Sequence, residues 1–149
     1  MALRWLLAAA HLLALGIGFG AVLARARALR EPLDAAGLRR VFVADGWWAV
    51  AAAVWISTGL WRWLGSIEKP ASYYSHNQVF WLKLALLGLI LALELVPMTT
   101  LIRWRREAGG AAPIDTSGAP RLARLSSIQA ILVVLMVLAA TAMARGYGA

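Results

Sequence analysis

QVFWLKLALLGLILALELVPMTTLI, residues Gln78–Ile102, is an apolar run carrying only two ionisable side chains, Lys83 and Glu94. At ~1.5 Å per residue such a run crosses the ~30 Å hydrocarbon core of a bilayer as an α-helix. Three further stretches reach the necessary ~20 residues: Leu3–Ala24, Val41–Trp61 and Leu125–Ala144. The chain has 149 residues, of which 62% are hydrophobic, and a mean hydropathy of +0.71. Soluble domains usually hold ~45–50% apolar residues. The sequence therefore predicts an all-α, four-helix transmembrane bundle forming a single integral membrane domain, with helices at about 3–24, 41–61, 78–102 and 125–144.

The formal charge is +8, but a nucleic-acid partner is not expected, because the basic residues sit at helix ends rather than on a soluble face. Arg25, Arg27, Arg30, Arg39 and Arg40 follow the first stretch, and Arg103, Arg105, Arg106, Arg121 and Arg124 lie between the third and fourth. Only Arg4, Lys69, Arg62 and Arg145 stand on the opposite side. Basic loops remain cytoplasmic, so both termini and the 62–77 loop are expected on the non-cytoplasmic side. Arg4 before an apolar run, with Ala24-Arg25-Ala26 after it, also has the look of a signal peptide. The run is long enough to span and ends in a stop-transfer cluster of arginines, so insertion without cleavage is the expectation. With no cysteine, disulfides, thiolate metal sites and thiol catalysis are excluded.

Along the chain, Gly16-x-x-x-Gly20 offers the small-residue spacing of close helix packing within the bundle. Glu31-Pro32 breaks the first helix, and Leu33–Arg40 reads as a short interfacial helix before the second. Trp48, Trp55 and Arg62 recur every seven residues and share a face. Trp5, Trp61, Trp63, Trp81 and Trp104 fall near helix ends, as in an aromatic belt, whereas Trp55 lies deep. Ser75-His76-Asn77-Gln78 fits a capping box with Ser75 as N-cap, which makes His76 the first residue of the third helix. The 107–120 link is rich in Gly and Pro and reads as irregular and mobile. The fourth stretch is nearly featureless, with Gln129 near its start. No internal repeat is visible.

Ionisable side chains inside a membrane cost on the order of 2.5–3.5 kcal/mol each, so they are the first place to look for function. His11, Asp45, Lys83 and Glu94 qualify. At 100° per residue, Glu94 and His76 both fall within about 20° of Lys83 on one helical stripe. With the first and third helices both entering from the outer side, His11 about seven residues in and Lys83 about five residues in fall at a similar outer depth, where they and His76 are candidates for one outer-leaflet site. Each has a plainer reading too: Lys83 snorkels to the headgroups, His11 is a neutral histidine bonded to a backbone carbonyl, and His76 is an interfacial cap residue. Asp45 and Glu94 fall toward the inner side, near Arg25, Arg39, Arg40 and Arg103, and read as buried polar residues with ion-pair or hydrogen-bond partners.

The stretches LRWLLAAAHLLALGIGFGAV, ADGWWAVAAAVWISTGLWR, YYSHNQVFWLKLALLGLILALELVPM and RLARLSSIQAILVVLMVLAATAMARGYG together resemble the bacterial four-helix membrane proteins of domain-of-unknown-function family 2214. More distantly, the first and third helices are similar to HemJ-type protoporphyrinogen oxidases and to copper-resistance D membrane domains. In those oxidases a histidine early in the first helix and a lysine in a W-L-x-x-K-L segment of the third are associated with haem b. His11 and Lys83, the latter in Trp81-Leu82-Lys83-Leu84, occupy the matching positions, although Lys83 follows Leu82 directly and Glu94 stands where those oxidases usually have histidine. The resemblance thus implies a haem-type pocket more directly than oxidase activity.

Three functional classes follow for a multi-pass protein of the bacterial inner membrane, its first partner being the lipid bilayer. One is a haem-b-binding redox protein with His11 as iron ligand and Lys83 as second ligand or propionate contact. Another is a non-catalytic accessory subunit packed against other membrane subunits or a second copy of itself. The third is a small-ion or metal transporter using the polar stripe of the third helix, for which two histidines and no cysteine provide few soft-metal ligands.

Overall fold

A computed structural model describes residues 2–65, 71–110 and 112–148; Lys69, counted above among the outer charges, lies outside the described residues. The structure is all-α. Four long helices, α1 (Ala2–Ala28), α2 (Ala35–Leu64), α4 (Gln78–Glu107) and α5 (Ala119–Ala144), are each long and apolar enough to cross a membrane, and a short α3 (Ala71–Ser75) precedes α4.

The long helices outrun the apolar stretches that predict them. Hydropathy marks where hydrocarbon ends, whereas the backbone ladder continues into the polar zone until a cap or breaker stops it. Leu33–Arg40 is accordingly not a separate interfacial helix. Asp34 is the N-cap of α2, its carboxylate accepting from the Gly37 N–H at 2.7 Å, and the helix runs unbroken from there. The turn folds back so closely that a Cβ on Gly37 would collide with the Pro32 carbonyl. Residue 37 therefore tolerates only glycine without movement of the turn.

Ser75 is not the cap of the following helix either. It ends α3, and Asn77 caps α4 by accepting from the Phe80 N–H at 3.1 Å. The Gln78 N–H, another orphan donor of that helix start, is taken by the Gly148 carbonyl at 3.0 Å. Gly148 has φ +82°, a left-handed conformation suited to glycine. The chain end is thereby folded back onto the beginning of α4. In the link before α5, the Ser117 N–H bonds Asp115 Oδ1 at 3.0 Å. That bond holds the exposed Asp115 carboxyl below its ordinary range. Pro120 lies in the first turn of α5, where its missing N–H costs nothing.

α1 packs against α2 and α5, and α4 against α5; side chains of α2 and α4 also meet, at Trp63–Phe80 and Asp45–Arg105. α4 thus stands across the bundle from α1. Two apolar clusters fill the interior. One, around Val22, Trp48, Trp55, Ile90, Val133 and Met136, lies toward the chain ends. The other, around Leu38, Val41, Leu101, Trp104 and Leu122, lies toward the α1–α2 turn. The glycines of α1 divide differently from the expectation. Gly18 is the packing residue, where an added Cβ would meet that of Ala51 at 3.3 Å, whereas Gly16 and Gly20 face open space. Trp48 and Trp55 share the inward face that their spacing predicts.

Candidate functional site

Between the two apolar clusters lies a polar layer built around Arg25. Its guanidinium is wholly buried, and all five N–H bonds are used. Nε donates to Ser126 Oγ at 3.0 Å. Nη1 donates to Asp45 Oδ1 and to Glu94 Oε1, both at 2.7 Å. Nη2 donates to Glu94 Oε2 and to Gln129 Oε1, both at 2.8 Å. Gln129 in turn donates to Glu94 Oε2 at 2.7 Å and to the Ile90 carbonyl at 3.2 Å. Arg105 completes the layer by donating to Asp45 Oδ2 at 2.7 Å. Two guanidinium cations balance two carboxylates, and every long helix contributes. Only arginine has five donors in a planar fork. The rings add to it, with Arg25 over Trp48 at 5.9 Å and Arg105 over Phe42 at 5.2 Å.

A second polar cluster surrounds His11. The Trp55 indole N–H points at His11 Nε2, 3.0 Å away, and His11 Nδ1 lies 3.0 Å from Thr58 Oγ1. An indole nitrogen can only donate, so Nε2 carries the lone pair and Nδ1 the proton. Thr58 Oγ1 accepts a hydrogen bond from that N–H and donates its own hydroxyl to the Val54 carbonyl at 2.7 Å. The tautomer is thus set by a relay of neighbours on α2. Gly59 makes room for the ring, since a Cβ there would stand 3.2 Å from His11 Cε1. Both ring nitrogens of His11 meet side chains of α2.

Lys83 is half-buried on α4. Fourteen positions separate His11 from Arg25 and eleven separate Lys83 from Glu94, distances of about 21 and 16 Å along α1 and α4, which run in the same direction. His11 and Lys83 therefore stand at comparable height on helices facing each other across the bundle. His76 is elsewhere. It occupies the turn between α3 and α4, is exposed, and bonds the Ser72 carbonyl through Nδ1 at 2.7 Å. Because it precedes the cap, the seven-residue repeat does not place it on the Lys83 face.

Asp45 and Glu94 meet in one layer through Arg25, and of the arginines named beside them in the sequence reading only Arg25 binds both. Sequence reasoning named Arg25 among four arginines near the two carboxylates but did not single it out, and it missed the contribution of Arg105 and the roles of Ser126 and Gln129. The signal available was stoichiometric: two carboxylates in apolar stretches require buried cations. The only amide within the last apolar stretch, Gln129, was a further pointer.

The family described as Predicted membrane protein (DUF2214) matches residues 3–148, nearly the whole chain. The chain belongs to this family. Comparison with curated proteins and with solved structures gives no match. Membership agrees with the four apolar helices and makes this an integral membrane protein embedded in a lipid bilayer.

Proposed function

We propose that this DUF2214 protein is a haem-b-binding redox protein of the bacterial inner membrane, with its cofactor site at the His11 end of a single membrane domain. The observation that carries the reading is the pair of contacts that His11 makes through its two ring nitrogens, with Thr58 and Trp55. A histidine that ligates iron through Nε2 needs its other ring N–H tied to an acceptor, which orients the ring and raises its basicity. Thr58 is such an acceptor. The Trp55 indole N–H donates to Nε2, the nitrogen that would hold the iron once the indole turned aside. Lys83, within about one helical turn of that height on the helix across the bundle, would provide a cation for a propionate or a second ligand. Bound haem b supplies one-electron transfer; the chain's own part is to set the imidazole, exclude water with Trp55 and neutralise carboxylate charge with Lys83. In this reading the Arg25 layer is a structural clamp. An ion path along α4 draws no support from Glu94, whose two oxygens are both engaged. The arginine-rich end faces the cytoplasm and both termini face away from it. A haemin titration of the purified full chain tests the proposal: saturable uptake at one site per chain supports it, and non-saturating partition indistinguishable from empty detergent refutes it.

A second reading, an accessory subunit, is favoured by one feature. From Trp81 to Leu89 no residue of α4 is buried, and Trp81, Leu82 and Leu89 are exposed. This face suits lipid or the helix of a partner subunit. A stoichiometric second chain in mild-detergent purification from the native membrane is its test.

A further inference from the structure

On the outside of the bundle, α1 and α2 enclose an open groove of about 680 Å³. Its floor is made of small residues: Gly20 has nothing within 4 Å of where a Cβ would lie, and Ala24 is exposed one turn on. Ile17 and Trp47 flank the apolar part, and Arg27, Arg39 and Arg40 gather at one end. Glu31, the only carboxylate among the described residues that line the groove, pairs with Arg40 at 3.3 Å, which leaves Arg27 and Arg39 as two positive charges in excess. From Ile17 to Arg27 the groove runs about 15 Å along α1, half the ~30 Å hydrocarbon thickness.

We infer that this groove holds one anionic phospholipid from the leaflet at the arginine-rich end. The arginines receive the phosphate, and one acyl chain lies over Gly20 and Ala24 against Ile17 and Trp47. Basic pockets between transmembrane helices at a membrane surface are suited to anionic headgroups. The charge pattern argues against a partner helix in the same place. Such a helix has to bring carboxylates opposite Arg27 and Arg39 while keeping an apolar face one turn further in, whereas a phospholipid has both parts by its chemistry. The groove is on the lipid-facing side of α1 and is separate from the His11 cluster, so the inference stands whether or not haem binds.

The test is native mass spectrometry of the full chain in detergent with dioleoyl phosphatidylglycerol or dioleoyl phosphatidylcholine. We expect one phosphatidylglycerol to survive activation that strips phosphatidylcholine. Replacing Arg27, Arg39 and Arg40 together by Gln should weaken retention by at least about tenfold. Gly20→Leu, which fills open space and should leave the helical circular-dichroism spectrum unchanged, should do the same with all the arginines in place. Equal retention of the two lipids, or unchanged retention in a folded Gly20→Leu, overturns the proposal. So does a dimer cross-linked through Trp47→Cys in this cysteine-free chain, since it assigns the groove to a second copy.

Discussion

Arg25 grips Glu94 with both terminal nitrogens, at 2.7 and 2.8 Å, across a bundle whose diagonal helices otherwise have apolar side chains between them. The pair is the middle of a layer in which each donor has an acceptor. A bidentate guanidinium–carboxylate pair is directional as well as strong, so it fixes the height of α4 relative to α1. Slippage by one turn would leave two buried charges exposed to apolar surroundings.

Glu94→Gln keeps an acceptor for Arg25 and for Gln129, whereas Glu94→Leu leaves two buried N–H donors of Arg25 and one of Gln129 without their acceptor. The Gln variant should therefore melt closer to wild type in detergent than the Leu variant does. Equal melting temperatures would mean that the carboxylate has no working partner.

The two cations of the layer should differ sharply. Arg25→Gln removes a wholly buried charge that compensates two carboxylates, a change of the kind that costs about 3–5 kcal/mol. The Arg105 side chain is 38% exposed, and its pair with Asp45 is worth no more than about 1 kcal/mol at that exposure. Thermal or denaturant unfolding of the two variants checks the order, and Arg105→Gln being the more damaging would contradict the assignment of Arg25 as the centre.

The fold was legible because hydrophobic span length is a direct consequence of bilayer thickness, and four stretches met it. The two carboxylates were legible for a related reason: Asp45 and Glu94 are costly in hydrocarbon and stand out there. Arg25 was legible only as one of four arginines near them, because it opens a run of five arginines and its neighbours Arg27 and Arg30 are exposed at the helix end. Whether an arginine three residues before the helix end points into the bundle depends on helix rotation, which hydropathy does not encode. Ser126 and Gln129 were overlooked for the same reason, being three residues apart on one face of a helix whose start was placed too late. The Asn77 cap was hidden by Ser75, which satisfies the capping-box pattern with Gln78 three residues on, where Asn77 has Phe80, but belongs to the preceding turn.

The tautomer of His11 is open to measurement without any cofactor. Nitrogen-15 NMR of the selectively labelled protein should show a protonated Nδ1 and a hydrogen-bonded, unprotonated Nε2. Thr58→Val, which removes the acceptor, should shift the Nδ1 resonance and leave the helical content unchanged. A wild-type spectrum with the proton on Nε2 would contradict the Trp55–His11–Thr58 relay.

Topology has its own check. Reporter fusions after Ala149 should be active on the non-cytoplasmic side only, since the basic clusters lie at the other end of the bundle. Activity of a cytoplasm-dependent reporter at that position would invert the orientation.

The most direct test of the central proposal is the visible absorption spectrum of the full chain purified from haem-replete bacteria, compared with His11→Ala and Lys83→Met. The account predicts a Soret band in the wild type, its loss in His11→Ala through removal of the imidazole ligand, and a shifted or weakened band in Lys83→Met. A colourless wild-type protein, or a band that His11→Ala leaves intact, would contradict it.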